Sequence, residues 1–463
     1  MKTDTIAAIA TAMTNSGIGI VRISGEDAYT IIDKIYRSKN GTKKLSQEKS
    51  HTIHYGYIQD DEKVVDEVMV LIMSGPHSYT TEDTVEIDCH GGILVMKRIL
   101  ETVIKYGARP AEPGEFTKRA FLNGRIDLSQ AESVIDVINA KNDFALESSI
   151  NQLKGTVKEK IRTIRDRVIH EIAFIESALD DPEHISLEGY SEILLAIIKK
   201  IIEEVRNLLA SSENGALLKE GINTVIIGKP NAGKSSLMNV MLGRERAIVT
   251  DMAGTTRDIL EEQINLNGIT LNIIDTAGIR DTDNIVEKIG IDKTKKYLSN
   301  ADLIIYLVDS STTLDENDEK IIEMLYDKKV IILLNKSDLP QKISEKELKK
   351  ILLEKQMEHP IISISAKEAI GINSLEEKIK ILFFNGEVTF NDEIYITNVR
   401  QKVSLQSALE SLELVQQSIE NKMPEDFYSI DLMSAYEELG SIIGESMGED
   451  LVNEIFSKFC MGK

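Results

Sequence analysis

The stretch Gly228-Lys229-Pro230-Asn231-Ala232-Gly233-Lys234-Ser235 decides the fold of the central part of this chain. It matches the pattern G-x-x-x-x-G-K-[ST] and lies between the apolar run Thr224–Ile227 and the helical pattern Ser235–Leu242. In such a loop, backbone N–H groups converge on phosphate oxygens at the amino end of a helix. We therefore predict a nucleotide-phosphate site in which Lys234 reaches the β- and γ-phosphates and Ser235 binds Mg²⁺. A chance glycine-rich turn is the alternative.

Apolar runs alternate with helical segments throughout residues 220–384. The runs are Thr224–Ile227, Thr270–Ile274, Leu303–Val308, Val330–Leu334 and Ile361–Ile364. Strands that alternate with helices are typical of a parallel sheet, so we predict an α/β domain here.

Three further motifs follow predicted strands in this domain. They are Asp275-Thr276-Ala277-Gly278, Asn335-Lys336-Ser337-Asp338 and Ser365-Ala366-Lys367. The Asp275 carboxylate is suited to the Mg²⁺ shell, and the Gly278 N–H to a γ-phosphate. The Asp338 carboxylate can accept hydrogen bonds from N1–H and N2–H₂ of guanine together, a pair of donors that adenine lacks. Together with the phosphate loop, these motifs predict a GTP-binding domain.

One position departs from the Ras pattern. Ras-like GTPases carry a glutamine after D-x-x-G that orients the attacking water. This chain has Ile279 there, and an aliphatic side chain cannot orient water. Hydrolysis is then either very slow or assisted by another group, and Asn231 with residues 250–258 favours the second interpretation.

The segments on either side of the α/β region differ in their secondary-structure patterns. Residues 1–120 mix short strand patterns with one helical stretch, whereas residues 129–218 and those after 390 are helical. We predict four segments: 1–120, 121–219, 220–384 and 385–463. The two helical segments would form one discontinuous domain into which the α/β domain is inserted, and two separate small bundles are the alternative. Ser129 and Glu132 are predicted to form a capping box.

Composition limits the possible partners and the location. Lys and Arg number 54 and Asp and Glu 76, which gives a net charge of −22. This excludes a basic body that coats nucleic acid, but not a local RNA contact. Two cysteines suit a reducing cytosol. The longest apolar region, Ile193–Leu209, has the spacing of an amphipathic helix, so we expect a cytoplasmic protein with no membrane span and no targeting segment.

The run Val85–His90 alternates as a strand that places Glu86, Asp88 and His90 on one face. A carboxylate on such a face can accept the adjacent N–H donors of a pterin ring, and a solvated face is the alternative. Cys89 and His90 point to opposite faces, which disfavours a metal site.

The whole chain resembles the family of tRNA-modification GTPases called MnmE or TrmE. The resemblance rests on Asp4–Thr11, Gly17–Gly25, Pro113–Leu128, Ala253–Asp258 and the ending Phe459-Cys460-Met461-Gly462-Lys463. It implies an N-terminal α+β domain that is aminomethyltransferase-like and binds folate, a discontinuous helical domain and an inserted Ras-like P-loop GTPase domain.

The resemblance also implies a ligand set for GTP, Mg²⁺ and K⁺. Mg²⁺ would be bound by Ser235 and Thr256. K⁺ would be bound by the Asn231 side chain and by oxygens of Thr250, Met252 and Thr255. Glu287 would orient the water when two GTPase domains pair, although an ordinary solvated helix residue is the alternative. The remaining GTP contacts implied are Ala232, Gly233, Lys234, Ser236, Asp251, Ala253, Gly254, Asp275, Thr276, Ala277, Gly278, Asn335, Lys336, Ser337, Asp338, Ser365, Ala366 and Lys367.

For the amino-terminal domain the resemblance implies a site for 5-formyl-tetrahydrofolate or a related one-carbon folate. Glu86 would bind the pterin, and Arg22, Arg125 and Lys463 would be cationic contacts. Cys460 is implied at the catalytic centre for modification, and a frayed terminus is the alternative for it.

The resemblance finally implies a homodimer that assembles with a FAD-dependent protein of the MnmG (GidA) family as a heterotetramer or larger complex. Together they would add an aminomethyl or carboxymethylaminomethyl group at C5 of the wobble uridine of certain tRNAs, and K⁺ would stimulate GTP hydrolysis. Two alternatives remain: a ribosome-assembly GTPase that acts as a switch, and a folate-dependent aminomethyltransferase with a regulatory GTPase.

Overall fold

The structure is a computed structural model that describes residues 4–39, 41, 43–244, 262–266, 268–274, 298, 301–384, 396–445, 448–457, 459 and 462. By internal contacts the chain divides into two compact units. The first comprises Met1–Asn139, Ile150–Ile202 and Ser404–Lys463, and the second Ala140–Ser149 and Glu203–Val403. Each unit therefore joins segments that are distant in sequence.

Seven strands form a mixed sheet in the first unit. They are β1 (Ile6–Ile9), β2 (Ile18–Ser24), β3 (Tyr36–Ser38), β4 (Thr52–Asp60), β5 (Lys63–Met73), β6 (Thr84–His90) and β7 (Arg109–Pro110). Their order across the sheet is β3-β4-β5-β6-β2-β1-β7. Neighbouring strands are antiparallel except β1 and β7, which are parallel.

One face of this sheet is apolar and covered by two helices, α1 (Ala28–Ile35) and α2 (Ile93–Lys105). Val21 and Ile87 are buried in this core. Because side chains alternate along a strand, Arg22 and Glu86 lie on the other face, where no helix of that core covers them. The candidate pterin face is thus the side of the sheet away from α1 and α2.

Five helices follow the sheet: α3 (Glu115–Leu122), α4 (Leu128–Asn139), α5 (Asp143–Leu153), α6 (Thr156–Asp180) and α7 (Tyr190–Glu220). The predicted capping box of Ser129 and Glu132 is wrong. Asp127 Oδ1 accepts from the Gln130 N–H at 3.0 Å, and Gln130 Oε1 accepts from the Asp127 N–H at 3.0 Å. The reciprocal pair is thus Asp127 and Gln130, two residues before the predicted pair. The Ser129 hydroxyl donates to the Asp127 carboxylate and therefore does not cap the helix.

The second unit is built around a six-stranded sheet. Its strands are β8 (Ile222–Gly228), β9 (Glu262–Leu266), β10 (Ile269–Ile273), β11 (Leu303–Asp309), β12 (Val330–Asn335) and β13 (Ile361–Ser363), and its described helices α8 (Lys234–Arg244), α9 (Glu316–Glu323), α10 (Glu345–Glu354) and α11 (Ile372–Phe384). The strand order is β13-β12-β11-β8-β10-β9, and only β9 is antiparallel to its neighbour.

Both faces of this sheet are buried, as in parallel α/β sheets generally. Ile305 and Ile331 belong to the core on one face, and Ile304 and Ile332 to the core on the other. The prediction of an α/β domain is therefore confirmed. The carboxyl ends of β8, β11 and β12 meet at one edge, which is where ligands bind in open α/β sheets.

The last described helices are α12 (Val399–Glu420), α13 (Asp426–Ile443) and α14 (Glu449–Ser457). In the first unit α13 packs against α6. The Arg165 guanidinium lies 4.0 Å from the centre of the Tyr436 ring and donates to the Tyr436 carbonyl at 3.2 Å. A β-carbon on Gly440 would be only 2.9 Å from the same guanidinium. The two helical segments thus form one discontinuous domain, and the alternative of two separate bundles is wrong.

Among the described residues, none of the helices combines the length with the apolar character that crossing a membrane requires.

Candidate functional site

The phosphate loop connects the carboxyl end of β8 to the amino end of α8. Gly233 has φ of +103°, and a β-carbon on it would lie 2.1 Å from Asn335 Nδ2. Asn231 also adopts the left-handed region, with φ of +61°. Asparagine tolerates this conformation better than most residues. The loop geometry therefore depends on a glycine at position 233, which the pattern G-x-x-x-x-G-K-[ST] requires, and favours an asparagine at position 231.

The ammonium of Lys234 is held inside this loop. Its Nζ donates to the carbonyl oxygens of Gly228 at 2.8 Å and Lys229 at 2.9 Å. Only 9% of the residue is exposed, and burial lowers the pKa of its ammonium group. A buried cation surrounded by carbonyl oxygens at a helix amino end is an arrangement that stabilises an anion such as phosphate.

Asn335 joins two loops at the same edge of the sheet. Its Nδ2 donates to the Ala232 carbonyl at 2.7 Å, and its Oδ1 accepts from the Ala366 N–H at 2.9 Å. Both hydrogen-bonding groups of the amide are used, and the residue is only 2% exposed. Asn335 therefore couples the phosphate loop to the loop that contains Ser365 and Lys367.

The exposed carboxylate of Asp338 lies beside this second loop. Its Oδ1 accepts from the Ser365 hydroxyl at 2.6 Å, and this hydrogen bond is the main cause that lowers the pKa of Asp338. The carboxylate is consequently ionised near neutral pH and acts only as an acceptor. Lys336 is tied to the end of β11 by an ion pair with Asp309 at 2.5 Å.

The structure brings one part of the predicted nucleotide site together and does not describe the rest. The described residues are Asn231, Ala232, Gly233, Lys234, Ser235, Ser236, Asn335, Lys336, Ser337, Asp338, Ser365, Ala366 and Lys367. The residues that lie outside the described ranges are Thr250, Asp251, Met252, Ala253, Gly254, Thr255, Thr256, Asp275, Thr276, Ala277, Gly278 and Glu287. Of the predicted metal ligands, Ser235 and Asn231 are therefore described, and the other positions stay predictions.

The described part of the chain contains no group of three or more His, Cys, Asp or Glu side chains arranged to hold a metal ion. A Mg²⁺ ion bound by a serine hydroxyl and phosphate oxygens needs no such group, because Mg²⁺ keeps water and substrate oxygens as ligands. The hydroxyl of Ser235, at the amino end of α8, is of the donor type that fits this role.

The predicted folate residues Arg22 and Glu86 face each other on β2 and β6. Arg22 Nε donates to Glu86 Oε1 at 2.7 Å, and both side chains are mostly buried. Arg22 Nη1 also donates to the carbonyl of Gly462 at 3.0 Å. Gly462 therefore lies against this face of the sheet, whereas the predicted residues Cys460 and Lys463 are outside the described ranges.

An aromatic residue that the sequence interpretation did not single out brings the two predicted arginines together. The Arg125 guanidinium lies 4.7 Å, and that of Arg22 5.8 Å, from the centre of the Tyr79 ring. The Tyr79 hydroxyl is hydrogen-bonded to the Thr117 hydroxyl at 3.0 Å. Nothing in the local sequence distinguishes this tyrosine from the others, since its role depends on contacts with distant residues.

Asp88 is a second carboxylate on the same face. Its cross-strand neighbours are Ile20 and Met69, and its buried Oδ1 has no hydrogen-bond partner among the described residues. Burial, and secondarily the nearby Glu86, raise the pKa of Asp88. This unsatisfied acceptor fits a ligand with N–H donors, such as a pterin. His90, further along β6, is paired with Asp66 at 2.8 Å.

Comparison with known proteins identifies the families and relatives to which this chain is similar. Family models described as the MnmE helical domain and as the GTP-binding protein TrmE N-terminus match residues 128–460 and 5–125. A protein named tRNA modification GTPase MnmE from Lachnoclostridium phytofermentans is 60% identical over 100% of both chains, and one of the same name from Acetivibrio thermocellus is 50% identical over 100% of both.

Among solved structures, the G domain of the T. maritima FeoB iron transporter is 28% identical, covering 35% of this chain and 98% of that chain with a TM-score of 0.26. The family assignment rests on the two full-length relatives and the family model that covers most of the chain. The chain belongs to the MnmE (TrmE) family of tRNA modification GTPases.

Proposed function

We propose that this chain is a GTP hydrolase that acts in tRNA modification, as the names of its relatives state for them. The observation that carries the proposal is the coupling through Asn335. One buried amide joins the loop suited to phosphate with the loop beside Asp338, so phosphate and base recognition are parts of one site. Guanine is the base whose adjacent N–H donors match the ionised Asp338 carboxylate.

In this proposal the metal ions supply charge neutralisation for phosphoryl transfer. Ser235 and Thr256 would bind Mg²⁺, and Asn231, Thr250, Met252 and Thr255 would bind K⁺. Oxygen donors of this kind suit both ions. Asn231 is the described member of the K⁺ set, and it lies in the phosphate loop three residues before Lys234, with a left-handed backbone. Glu287 would orient the attacking water, a role for which Ile279 is unsuited.

We further propose that residues 1–120 bind a one-carbon folate, of the 5-formyl-tetrahydrofolate class, and mediate dimerisation. The ion pair of Arg22 and Glu86, together with the unsatisfied Asp88, supports a polar ligand on this face. Arg125 would contribute a second cation, and Lys463 a third. Residues 121–219 and 385–463 would form the helical domain, and 220–384 the GTPase domain.

The modification itself would take place with a FAD-dependent protein of the MnmG (GidA) family, in a heterotetramer or larger complex in the cytoplasm. The substrate would be the wobble uridine of certain tRNAs, modified at C5 with an aminomethyl or carboxymethylaminomethyl group. Cys460 would lie at the catalytic centre. The hydrogen bond from Arg22 to the Gly462 carbonyl supports this, because Gly462 is only two residues after Cys460 in the sequence.

The test compares GTP turnover in KCl and in NaCl for the unchanged chain and for Asn231→Gly. Glycine retains the left-handed backbone but removes the amide, so the variant should lose about tenfold or more of the turnover in KCl and little of that in NaCl. Modified wobble uridine is then measured with and without the flavin partner. Turnover that is equal in both salts would contradict the K⁺ role, and modification without the partner would favour an aminomethyltransferase.

A further inference from the structure

The phosphate loop contains a second lysine, Lys229, whose side chain is bound to a helix. Its Nζ lies 2.9 Å from Asp315 Oδ2 and 2.6 Å from Asp318 Oδ2. Asp315 is the residue before α9, and Asp318 is in its first turn. A conventional loop lysine extends into solvent, whereas this side chain is only 19% exposed. Lys229 therefore connects the loop to the amino end of α9.

The acidic partners are themselves rigidly placed. Asp315 and Asp318 form a capping box, in which each side chain accepts from the backbone N–H of the other. Asp318 is 1% exposed, and its Oδ1 accepts from the Tyr306 hydroxyl at 2.9 Å. Tyr306 belongs to β11, which lies next to β8 in the sheet. The carboxylates thus form a fixed anchor attached to both a helix and a central strand.

The backbone of Lys229 contacts the residue with the proposed phosphate role. The Lys229 carbonyl accepts from Lys234 Nζ at 2.9 Å and from the Ala232 N–H at 3.2 Å. A displacement of Lys229 would therefore alter the position of Lys234 and the turn that precedes it. Contacts therefore extend from α9 through Asp318 and Lys229 to Lys234.

We propose that Lys229 is a positioning residue, whose ion pairs with Asp315 and Asp318 hold the phosphate loop in the shape that binds GDP and GTP. This inference rests on the proposed function, because it assigns a role within the same nucleotide site. In this proposal the amino end of α9 supports the nucleotide site, although its own residues do not contact the nucleotide. The opposing explanation is that the two aspartates merely store Lys229 until it moves to the phosphates.

The two explanations predict opposite effects when the aspartates are neutralised. If Lys229 is an anchor, Asp318→Asn weakens nucleotide binding because the loop loses its attachment. If Lys229 is a stored phosphate ligand, the same change frees it and tightens binding. Asp315→Asn is the milder form of the test, because asparagine retains an oxygen that can cap α9.

The experiment measures the affinity of a fluorescent GDP derivative for the full chain, with thermal unfolding recorded in parallel. Lys229→Met, Asp318→Asn and the double variant are each expected to weaken GDP binding by about tenfold, and the double variant no more than either single one. Lys229→Arg should retain most of the affinity, because it preserves both ion pairs. Lys320→Met, an exposed lysine on α9, is the matched control and should bind as the unchanged chain does.

Unaltered GDP affinity in Lys229→Met, with only the unfolding temperature lowered, would overturn the proposal and leave the ion pairs a structural role. Tighter binding in Asp315→Asn or Asp318→Asn would overturn it in favour of a stored ligand. Failure of the unchanged chain to bind GDP would instead contradict the proposed function, and is thus distinguishable from both.

Discussion

The side-chain nitrogen of Asn335 occupies the space beside Gly233 in which a β-carbon would lie, at a separation of 2.1 Å. Asn335 cannot retreat without losing its hydrogen bonds to Ala232 and Ala366. The glycine is thus required by a residue that is about a hundred positions further along the chain.

We predict from this that Gly233→Ala destabilises the second unit and lowers GDP affinity by about a hundredfold, because the amide of Asn335 or the loop must shift. Gly243→Ala is the matched control, since a β-carbon there meets nothing within 4 Å. The control should be neutral, or more stable by about 0.5–1 kcal/mol, because alanine favours a helix. Thermal unfolding and GDP titration measure both effects, and equal behaviour of the two variants would contradict the prediction.

Asp338→Asn should exchange guanine specificity for xanthine specificity. The asparagine oxygen still accepts from N1–H, but its NH₂ donates, which suits the C2 carbonyl of xanthine and opposes the guanine NH₂. We expect GDP affinity to fall by about a hundredfold or more and XDP affinity to rise correspondingly. Competition titrations with GDP and XDP measure this. Asp327→Asn, at an exposed turn, is the control and should leave the preference for GDP intact.

Tyr79→Leu should weaken binding of 5-formyl-tetrahydrofolate without affecting GDP. The leucine removes the ring that both Arg22 and Arg125 contact, and an individual cation–π contact contributes about 0.5–2 kcal/mol, so a loss of about fivefold is expected. Calorimetric titration with the folate is the measurement. Tyr326→Leu, an exposed tyrosine of the second unit, should leave folate affinity unaltered; a similar loss in this control would argue against a specific role for Tyr79.

Cys89 should be unreactive in the folded protein. Burial is the main cause that raises the pKa of its thiol to about 11, and the thiol donates to the Gly19 carbonyl. The thiolate, which is the nucleophile, is therefore scarce at pH 8. Labelling of the native chain with iodoacetamide at pH 8 should give the same extent in Cys89→Ala as in the unchanged chain, whereas labelling in denaturant should differ by one thiol. Native labelling that falls in the variant would refute the prediction.

Asp88→Asn should stabilise the first unit increasingly as pH rises. The folded-state pKa of Asp88 is raised above its ordinary value of 3.8 by burial, so the ionised form is disfavoured by the fold. The folded chain is more stable with a neutral Asp88 carboxyl than with an ionised one. This contribution to stability is fully present below pH 3.8 and is lost as the pH rises through the folded-state pKa. The asparagine avoids this loss.

The gain in unfolding free energy from Asp88→Asn should stay below about 1 kcal/mol, because the group is only partly buried. It is measured as the difference in unfolding temperature between variant and unchanged chain from pH 4 to pH 8. Asp83→Asn, on the loop before β6, is the control, because an asparagine oxygen can still accept from the Gly75 N–H. A gain that is constant or decreases with pH would contradict the assigned cause.

Much of the fold was predictable from local patterns. The strands Thr84–His90, Leu303–Asp309 and Val330–Asn335 agree with their predicted runs to within one residue, because apolar alternation or continuity extends along each of them. The strands Ile6–Ile9 and Thr52–Asp60 were not among the predicted runs. In Thr52–Asp60 the exposed face also carries apolar residues such as Ile53, so alternation gives little signal there.

The candidate site likewise contains residues that the sequence predicts and residues that it does not. The phosphate loop and Asp338 were predictable because each lies in a contiguous motif whose chemistry is local. Tyr79, and the role of Lys229, were not predictable because each depends on residues that only folding brings near. The capping residue Asp127 was missed because Ser129 offered an equally acceptable pattern two positions later.

The sequence by itself determined where the nucleotide loop lies, which segment forms the parallel sheet and which family the chain resembles, since these follow from residues that are adjacent in the chain. Only the tertiary structure decided that Arg22 contacts the carbonyl of Gly462, 440 residues away, and that Asn335 requires the glycine at 233. The physical reason is that such contacts depend on how whole elements pack, and packing is a property of all residues together rather than of any local pattern.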